Sequence, residues 1–492
     1  MKKLRKLSLY LLLLGSLFPQ ELHIAHWNDF HSANLPYMVH ENGKNRLVGG
    51  YAYLAGVLDS LRNNYNNLIL LNAGDEFQGT AISSITKGLS QILILNKIKP
   101  DALCLGNHEF DYGVNSLLYN LSLARFDIVT TNILLNGDRK FGLPYKILEH
   151  NGVKIAIMGI IYEGLEGSTM PENVQGVKIL NPVDTVNSLA ETLSSKVDII
   201  ILLSHCGLNS DRRMAEKLHE VDIIIGGHSH DVLREPERVN NILICQAGCR
   251  GRYVGFLNVR VDTFSNSIKS YSYNLIEVLP SEITPNESVQ SLVDSMEKEI
   301  SKELDVVIGK LETPWERNRQ AESNIGNWIT DVLRKEFKTD IAFQNSGGIR
   351  KDLPPGPIRI RDIWEIAPFE NEVVIIKLKG TQLRKLFERY PHNIRDLLQV
   401  SGARIEFDPE KEKILSVKVN GRKIKNKKQY TIATNSFVLG HINRFFGLSP
   451  EEVEIIHTNK ILRDILIKAV RKEKVIKSKI EGRIIITKGQ RP

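Results

Sequence analysis

The sequence Gly-Asn-His-Glu-Phe-Asp, residues 106–111, places an amide, an imidazole and two carboxylates directly after an apolar run. Amide oxygens, imidazole nitrogens and carboxylates bind divalent metal ions, and a histidine near a carboxylate can also move protons. This stretch therefore predicts metal binding or proton transfer at the end of a buried strand. Taken alone, Asn107 also has a structural interpretation, because an asparagine can brace a turn.

Similar polar groups follow four other apolar runs in the N-terminal half of the chain. These runs lead into Asn28-Asp29-Phe30-His31, Asp75, His205 and His228-Ser229-His230. Individually, Asp75 fits a helix N-cap, His205 a hydrogen-bonded core histidine, and His228 and His230 turn residues. Their joint occurrence favours one shared site, because the carboxyl ends of strands in an open α/β sheet converge on one crevice.

The combined set fits a site for two divalent cations. Such ions lie about 4 Å apart and need a bridging carboxylate, with imidazoles and oxygens completing each coordination sphere. Asp75 is the natural bridge. We expect Asp29 and His31 to chelate one ion from the same side of an extended segment, and His228 and His230 to reach different ions from an extended turn. The mixed nitrogen and oxygen ligands favour Zn²⁺, Mn²⁺, Co²⁺ or Fe²⁺ over Ca²⁺.

Residues 107–111 also predict a catalytic pair. Asn107 can bind the second ion through its amide oxygen, which leaves His108 beside the ions without a metal of its own. Asp111 has the spacing to orient that imidazole if a helix begins here. We therefore expect His108 and Asp111 to stabilise or protonate a leaving oxygen. Glu109 and Phe110 are interpreted as packing and turn residues.

Short apolar runs alternating with polar turns and longer helical patterns position these groups. The runs cover residues 22–27, 68–74, 101–106, 127–133, 154–161, 197–205, 221–228 and 242–248. This alternation predicts an α/β domain with buried strands that need not be purely parallel. A charged amphipathic pattern then predicts a connecting helix. A second α/β segment follows, with strands near 341–345, 371–378, 403–408 and 430–436.

Length and charge narrow the class of protein. The 492 residues, 42% of them hydrophobic, suffice for more than one core. Four of the eight net positive charges lie within residues 1–6, so the remaining excess gives no support to a nucleic-acid polymer as partner. The basic start and the apolar block 8–18 predict an export signal over residues 1–20 and a periplasmic or cell-surface location. A retained anchor is the alternative, because no A-x-A cleavage site follows.

The four cysteines do not form a C-x-x-C metal pattern. Cys104, Cys206 and Cys245 lie in apolar runs and are predicted to be small core residues. A disulfide between Cys245 and Cys249 is the alternative for an exported protein.

Five motifs in this order resemble those of the calcineurin-like metallophosphoesterases: N-D-x-H (28–31), G-D (74–75), G-N-H-E-F-D (106–111), S-H (204–205) and G-H-S-H (227–230). Three later motifs are similar to the C-terminal nucleotide-binding domain of 5′-nucleotidases: R-x-x-E-S-N-x-G-N (319–327), N-S-G-G-I-R (345–350) and P-F (368–369). The resemblance implies a four-layer αββα metallophosphoesterase domain over 21–280, a linker helix over 281–305 and a smaller α/β substrate-binding domain over 306–492.

The resemblance also implies roles for individual residues. One ion would be held by Asp29, His31, Asp75 and His230, and the other by Asp75, Asn107, His205 and His228. Arg319 and Arg350 would contact substrate phosphates, Asn345 the nucleotide, and Phe369 one face of the base. Taken alone, Arg350 also fits a surface arginine after a Gly-Gly turn, and Phe369 a core residue. Where the family has a Gly-Gly-Asp-Gly-aromatic loop, this chain reads LGHINRFFGL at 439–448. We assign the second stacking position to Phe445, with Phe446 as the alternative.

The function implied is that of an exported 5′-nucleotidase. With two divalent ions (Zn, Mn or Co), it would convert nucleoside 5′-monophosphates to nucleoside and phosphate, binding this small-molecule nucleotide between its domains. The enzymatic alternative is a UDP-sugar or NAD pyrophosphatase, or a 2′,3′-cyclic-nucleotide phosphodiesterase. The non-enzymatic alternative is a nucleotide-binding surface receptor. No stable membrane span is expected beyond an uncleaved signal.

Overall fold

A computed structural model of the protein describes residues 19–41 and 44–487. The predicted export signal lies almost wholly outside these ranges. The described residues fold as two compact units, and the division between them falls between Glu299 and Ile300. Within the described ranges, no helix combines the length and the apolar character needed to cross a bilayer.

The N-terminal unit contains two six-stranded sheets. Its strands are Gln20–Trp27 (β1), Tyr37–Glu41 (β2), Lys44–Val48 (β3), Leu68–Asn72 (β4), Ala102–Cys104 (β5), Ile128–Val129 (β6), Ile133–Leu135 (β7), Arg139–Lys140 (β8), Lys146–His150 (β9), Val153–Ile161 (β10), Val177–Ile179 (β11), Ile199–His205 (β12), Ile223–Gly226 (β13), Glu237–Val239 (β14), Ile242–Cys245 (β15), Tyr253–Asp262 (β16) and Ser267–Glu277 (β17). One sheet has the order β17-β16-β1-β4-β5-β6, and the other has the order β14-β15-β13-β12-β10-β9.

Helices cover the outer faces of both sheets. They are Tyr51–Asn64 (α1), Ala81–Ile85 (α2), Leu89–Ile98 (α3), Val114–Ser122 (α4), Pro182–Ser194 (α5), Leu208–Ala215 (α6) and Glu287–Leu304 (α7). The last of these lies where the connecting helix is predicted, and the boundary between the two units falls within it.

Period-two alternation along the strands builds the four layers. In β1, Ile24 faces the core between the two sheets, whereas Ala25 and Trp27 pack toward α1 and α3. In β12, Ile201 joins the same inter-sheet core, and Ile200 packs toward α5 and α6. Every residue of β4 and β12 is buried because both faces of each strand are covered. The four-layer αββα prediction is confirmed.

The parallel strands bring the predicted site together. β1, β4 and β5 are parallel neighbours in the first sheet, and β10, β12, β13 and β15 are parallel neighbours in the second. Their carboxyl ends lie at one edge of the sandwich. The antiparallel pairs β1–β16 and β16–β17 make the first sheet mixed, as the sequence allowed.

The C-terminal unit is a smaller α/β fold. Its strands are Val307–Leu311 (β18), Ile341–Asn345 (β19), Gly356–Arg359 (β20), Glu372–Lys379 (β21), Leu398–Ser401 (β22), Ala403–Asp408 (β23), Lys413–Val419 (β24), Gln429–Asn435 (β25), Glu454–Ile461 (β26), Val475–Ile476 (β27) and Ile484–Ile486 (β28). Its helices are Asn324–Phe337 (α8), Ile360–Ile366 (α9), Gly380–Arg389 (α10), Ser436–Gly440 (α11), Ile442–Phe446 (α12) and Leu462–Glu473 (α13). A five-stranded sheet, β22-β19-β25-β21-β26, forms its centre.

All four cysteines are free thiols. Cys104, Cys206 and Cys245 are buried as predicted, and the alternative Cys245–Cys249 disulfide is not formed.

Candidate metal centre and substrate residues

The loops that follow β1, β4 and β13 hold their polar residues in an unusual backbone conformation. Asp29, His31, Asp75, His228 and His230 have φ angles of 48°, 51°, 58°, 76° and 62°. The predicted extended conformation at residues 29–31 and 228–230 is therefore wrong. Left-handed backbone in residues other than glycine costs on the order of 1 kcal/mol or more each, and such residues cluster at functional sites. The tight turns aim successive side chains into one pocket.

Asp29, His31 and His230 form the first group of potential ligands. The Nε2 atoms of His31 and His230 lie 3.0 Å apart, and Oδ1 of Asp29 is 3.4 Å from Nε2 of His230. Asn28 orients the carboxylate, because its amide nitrogen donates to Asp29 Oδ2 at 2.7 Å and its amide oxygen accepts from Ala247 N at 2.9 Å. The sequence prediction gave Asn28 no role, although the residue stands within the motif.

Asp75, His205, His228 and Asn107 form the second group. Oδ2 of Asp75 lies 3.1 Å from Nε2 of His205, and Nδ1 of His228 lies 3.0 Å from Oδ1 of Asn107. The other ring nitrogen of His205 contacts the Ala73 carbonyl at 2.7 Å, which fixes the ring with Nε2 directed at Asp75. Asp29 Oδ1 is 4.0 Å from His205 Nε2, so the two groups adjoin one another.

The charges of these groups fit divalent cations. Burial disfavours a charged imidazole at His205, but the carboxylates of Asp75 and Asp29 outweigh it and raise the pKa of His205 to about 10. Burial likewise opposes ionisation of Asp75, yet His205 and His108 hold its pKa well below the ordinary value. The buried carboxylates therefore draw positive charge into the pocket, and a cation can take the place of the protons.

The donor geometry agrees with the same occupant. Ligand atoms of Asp29, His31 and His230 lie within 4.8 Å of one another, as do those of Asp75, His205 and His228. Nε2 of His205 is buried and makes no hydrogen bond of acceptable geometry within the described residues. A buried imidazole nitrogen aimed at two carboxylates is suited to metal coordination.

His108 and Asp111 are in direct contact. Nδ1 of His108 lies 2.6 Å from Oδ2 of Asp111, and both side chains are largely buried. The short helix His108–Phe110 produces this contact, as the spacing predicted. The backbone N–H of His108 donates to Asp75 Oδ1 at 2.9 Å, so the pair is tied to the potential bridging carboxylate.

A further buried carboxylate follows Asp75 directly in the chain. Glu76 is completely buried and accepts hydrogen bonds from Trp27 Nε1 at 2.8 Å, Asn72 Nδ2 at 2.6 Å and the Tyr51 hydroxyl. Burial raises the pKa of Glu76 to about 8. The sequence prediction missed this residue. The only sequence signal is an acidic residue beside Asp75 at the end of a strand that is otherwise apolar.

Four of the five predicted substrate residues lie near the carboxyl end of β19. Asn345 ends that strand, and its Oδ1 accepts from Asn435 Nδ2 at 3.0 Å. The guanidinium of Arg350 lies 6.0 Å from the ring centre of Phe369, and both side chains are half-buried. Arg319 is exposed, and its carbonyl accepts from Leu397 N, whose own carbonyl accepts from Ser346 N. Asn345, Arg350, Phe369 and Arg319 are thus linked through one group of loops.

The fifth residue, Phe445, has a different environment. Phe445 and the alternative Phe446 are both completely buried in the core of the C-terminal unit. The guanidinium of Arg444 lies over the Phe445 ring, 4.7 Å from its centre. Stacking of a base on Phe445 would require this ring to become exposed, and that role stays a prediction.

Comparisons with known proteins find a matching family model in each of the two units. Residues 22–232 match the family model for calcineurin-like phosphoesterases, and residues 307–447 match the model for the 5′-nucleotidase C-terminal domain. An apyrase of Tabanus yao is 30% identical over 85% of this chain and 85% of its own length. A snake venom 5′-nucleotidase of Gloydius brevicauda is 30% identical over 79% of this chain and 74% of its own.

A solved structure has the same architecture. The crystal structure of a 5′-nucleotidase precursor from Thermus thermophilus superposes with a TM-score of 0.86 at 26% identity, covering 96% of this chain and 100% of the other.

Proposed function

Because this chain belongs to the 5′-nucleotidase family, with its calcineurin-like phosphoesterase and C-terminal nucleotidase domains, we propose that it hydrolyses nucleoside 5′-monophosphates to nucleoside and phosphate. Members of this family are metal-dependent phosphoester hydrolases, and this chain is one of them. The observation that carries the proposal is the convergence of carboxylate, amide and imidazole groups from five strand ends on one pocket, with the His108–Asp111 pair at its edge.

We assign the metal ligands in two overlapping sets. Asp29, His31, Asp75 and His230 would hold one ion, and Asp75, Asn107, His205 and His228 the other. The mixed nitrogen and oxygen donors suit Zn²⁺, Mn²⁺ or Co²⁺. When bound, the two cations supply Lewis acidity toward the phosphate and lower the pKa of water, the nucleophile of the reaction.

The chain's own groups carry the proton and orient the substrate. His108 would give a proton to the leaving 5′ oxygen of the nucleoside, and the 2.6 Å contact of its Nδ1 atom with Asp111 supports a fixed orientation of the imidazole. In the C-terminal unit, the guanidinium of Arg350 suits a phosphate oxygen pair, and the half-buried ring of Phe369 suits a nucleobase. Arg319 and Asn345 would complete the nucleotide contacts.

A second candidate substrate class is nucleotides with a phosphoanhydride bond. The relative from Tabanus yao is named an apyrase, and the same set of metal ligands can serve a pyrophosphatase. UDP-glucose, NAD and 2′,3′-cyclic nucleotides belong in the same comparison, since the groups around Phe369 rather than the metal ligands would select among them.

The decisive experiment is phosphate release from a nucleotide panel by purified protein whose metal content has been measured. We expect the highest kcat/KM with AMP or another 5′-monophosphate, and a loss of turnover without loss of metal in His108→Ala. Preferred turnover of ADP, UDP-glucose or a cyclic nucleotide would replace the proposed substrate. Phosphate release that survives exhaustive chelation would reject the mechanism.

We further propose that the protein is exported. The basic and apolar residues 1–20 support this, as does the occurrence of a 30% identical relative in venom. Cell fractionation should find the enzyme outside the cytoplasm, and cytoplasmic retention would contradict export.

A further inference from the structure

The buried side chain of Glu109 makes an unusual set of contacts beneath the metal centre. It is 2% exposed, and its carboxylate accepts hydrogen bonds from four backbone N–H groups. Oε2 accepts from Asp75 at 3.0 Å and Gly106 at 2.6 Å, and Oε1 accepts from Glu76 at 2.7 Å and Phe77 at 3.1 Å. Its partners belong to two separate loops, the one after β4 and the one after β5.

The backbone of the loop after β4 explains why an anion fits there. Asp75 has a left-handed backbone conformation, and successive N–H groups around such a residue point to the same side and form a concave anion-binding nest. A carboxylate is the intramolecular anion that satisfies these donors. Because charged acceptors form stronger hydrogen bonds than neutral ones, Glu109 holds this loop more firmly than an amide or a water molecule can.

The opposite side of the same loop is bound to the loop after β1. Asp29 N donates to the Gly74 carbonyl at 2.9 Å, His31 N donates to the Asp75 carbonyl at 3.0 Å, and Ser32 N donates to the Glu76 carbonyl at 3.0 Å. The loop after β1 therefore holds the carbonyls of residues 74–76, and Glu109 holds the N–H groups of residues 75–77. Three strand ends with potential metal ligands are joined through this one segment.

We propose, on the basis of the function proposed above, that Glu109 is a positioning residue that sets the place of the bridging carboxylate Asp75 relative to Asn107 and His108. In this role Glu109 would touch neither substrate nor metal. It acts through the backbone, and its loss should weaken metal binding more than it weakens the fold. The sequence analysis assigned Glu109 a packing and turn role, which would not affect the metal centre.

The test is metal binding by Glu109→Gln, measured by calorimetric titration of metal-free protein with Mn²⁺. The glutamine amide presents N–H groups to two backbone N–H donors, so two of the four hydrogen bonds are lost. Removing groups that orient metal ligands typically costs 10- to 100-fold in metal affinity, and we expect an effect in this range. The exchange coupling of two bound Mn²⁺ ions in the EPR spectrum should also change, because Asp75 would bridge them differently.

The chain offers a matched control in Glu322. This glutamate is 7% exposed and accepts from the backbone N–H groups of Glu481, Arg483 and Ile484 at 2.7, 2.7 and 3.3 Å. All of these partners belong to the C-terminal unit. Glu322→Gln should lower the melting temperature to a similar extent as Glu109→Gln and leave the Mn²⁺ titration unchanged.

The outcomes separate this inference from the proposed function. If the unsubstituted protein binds no Mn²⁺, the proposed function fails. If it binds two ions and Glu109→Gln binds them equally well, or if Glu322→Gln weakens binding as much, only the positioning role is wrong. Should Glu109→Gln not fold, Glu109→Asp takes its place, because its shorter side chain keeps the charge but not the reach. Failure of both variants to fold would make Glu109 a folding residue and overturn the inference.

Discussion

Replacing Asp111 by asparagine tests whether the His108–Asp111 pair delivers a proton to the leaving oxygen. The two side chains are only 10% and 7% exposed, and the 2.6 Å contact joins Nδ1 of His108 to a carboxylate oxygen. Asparagine keeps an oxygen acceptor but removes the charge. A hydrogen bond to a charged group contributes roughly 1.5–3 kcal/mol and a neutral one roughly 0.5–1.5 kcal/mol, so the substitution should cost about 1–2 kcal/mol. Because 1.36 kcal/mol is tenfold in rate, kcat should fall about 5- to 30-fold.

The assay compares two substrates at saturating Mn²⁺. The leaving group of AMP is the 5′ alkoxide of adenosine, which is strongly basic and needs a proton. The leaving group of p-nitrophenyl phosphate is p-nitrophenolate, which is stable without one. The loss in kcat should therefore be clearly larger for AMP, with bound metal unchanged. Thr169→Val is the matched control, because the Thr169 hydroxyl reaches the other Asp111 oxygen only at 3.4 Å. We expect that variant to stay within about 3-fold of the unsubstituted enzyme. Equal losses for both substrates, or loss of metal from Asp111→Asn, would refute the proton-delivery role.

Three other predictions follow from single contacts. Gly106→Ala should abolish binding of at least one ion, because a Cβ atom at residue 106 would lie 2.2 Å from Asp75 Oδ1. The measurement is the metal content per chain after dialysis, and a full metal content would contradict this prediction. Phe369→Ala should raise KM for AMP about 10-fold, since base stacking contributes on the order of 1–3 kcal/mol, and should leave turnover of p-nitrophenyl phosphate unchanged. Burial lowers the pKa of His26 to about 3 in the folded protein, whereas its ordinary value in the unfolded chain is 6.5. Between pH 3 and pH 6.5 the unfolded chain therefore binds more protons than the folded one, and a fall in pH destabilises the fold. His26→Gln removes this protonation. The difference in unfolding free energy between pH 7 and pH 5, measured by urea titration, should therefore shrink by about 2 kcal/mol in this variant. An unchanged difference would contradict the role of His26.

The strands that carry the site were predictable because their sequences are extreme. Both faces of β4 and β12 are covered, so each reads as an unbroken apolar run with polar residues at its end. The hairpin β2–β3 and the long strand β17 were missed. Much of β17 is exposed, so its sequence mixes polar and apolar residues without the signal of a buried strand.

Convergence of the ligand residues was predictable, but their backbone conformation was not. Within each of the two sheets, parallel strands place their carboxyl ends at one edge, whatever the loops do. The left-handed turns at Asp29, Asp75 and His228 depend on hydrogen bonds from distant segments, such as the Asp75–Glu109 contact and the donation from His228 N to Asp29. Left-handed backbone is uncommon in residues other than glycine, and although Asp and His adopt it more often than most, residue type alone does not assign it to these positions.

The burial of Phe445 was also not predictable from the sequence. From the sequence alone, two adjacent aromatic residues in the segment 439–448 fit a stacking surface and a buried anchor equally well. In the structure both rings of the pair Phe445–Phe446 enter the core of the C-terminal unit, and Arg444 covers one of them. Residue type alone cannot distinguish these outcomes, because packing against distant strands determines which ring face remains open.

The most direct test of the two-metal hydrolase is a titration of metal-free protein with Mn²⁺, in which bound ions and phosphate release from AMP are measured on the same samples. We expect no turnover without metal, two ions bound per chain at saturation, and activity that rises with occupancy of both. Full activity with one ion bound, or phosphate release from protein that holds none, would contradict the assignment.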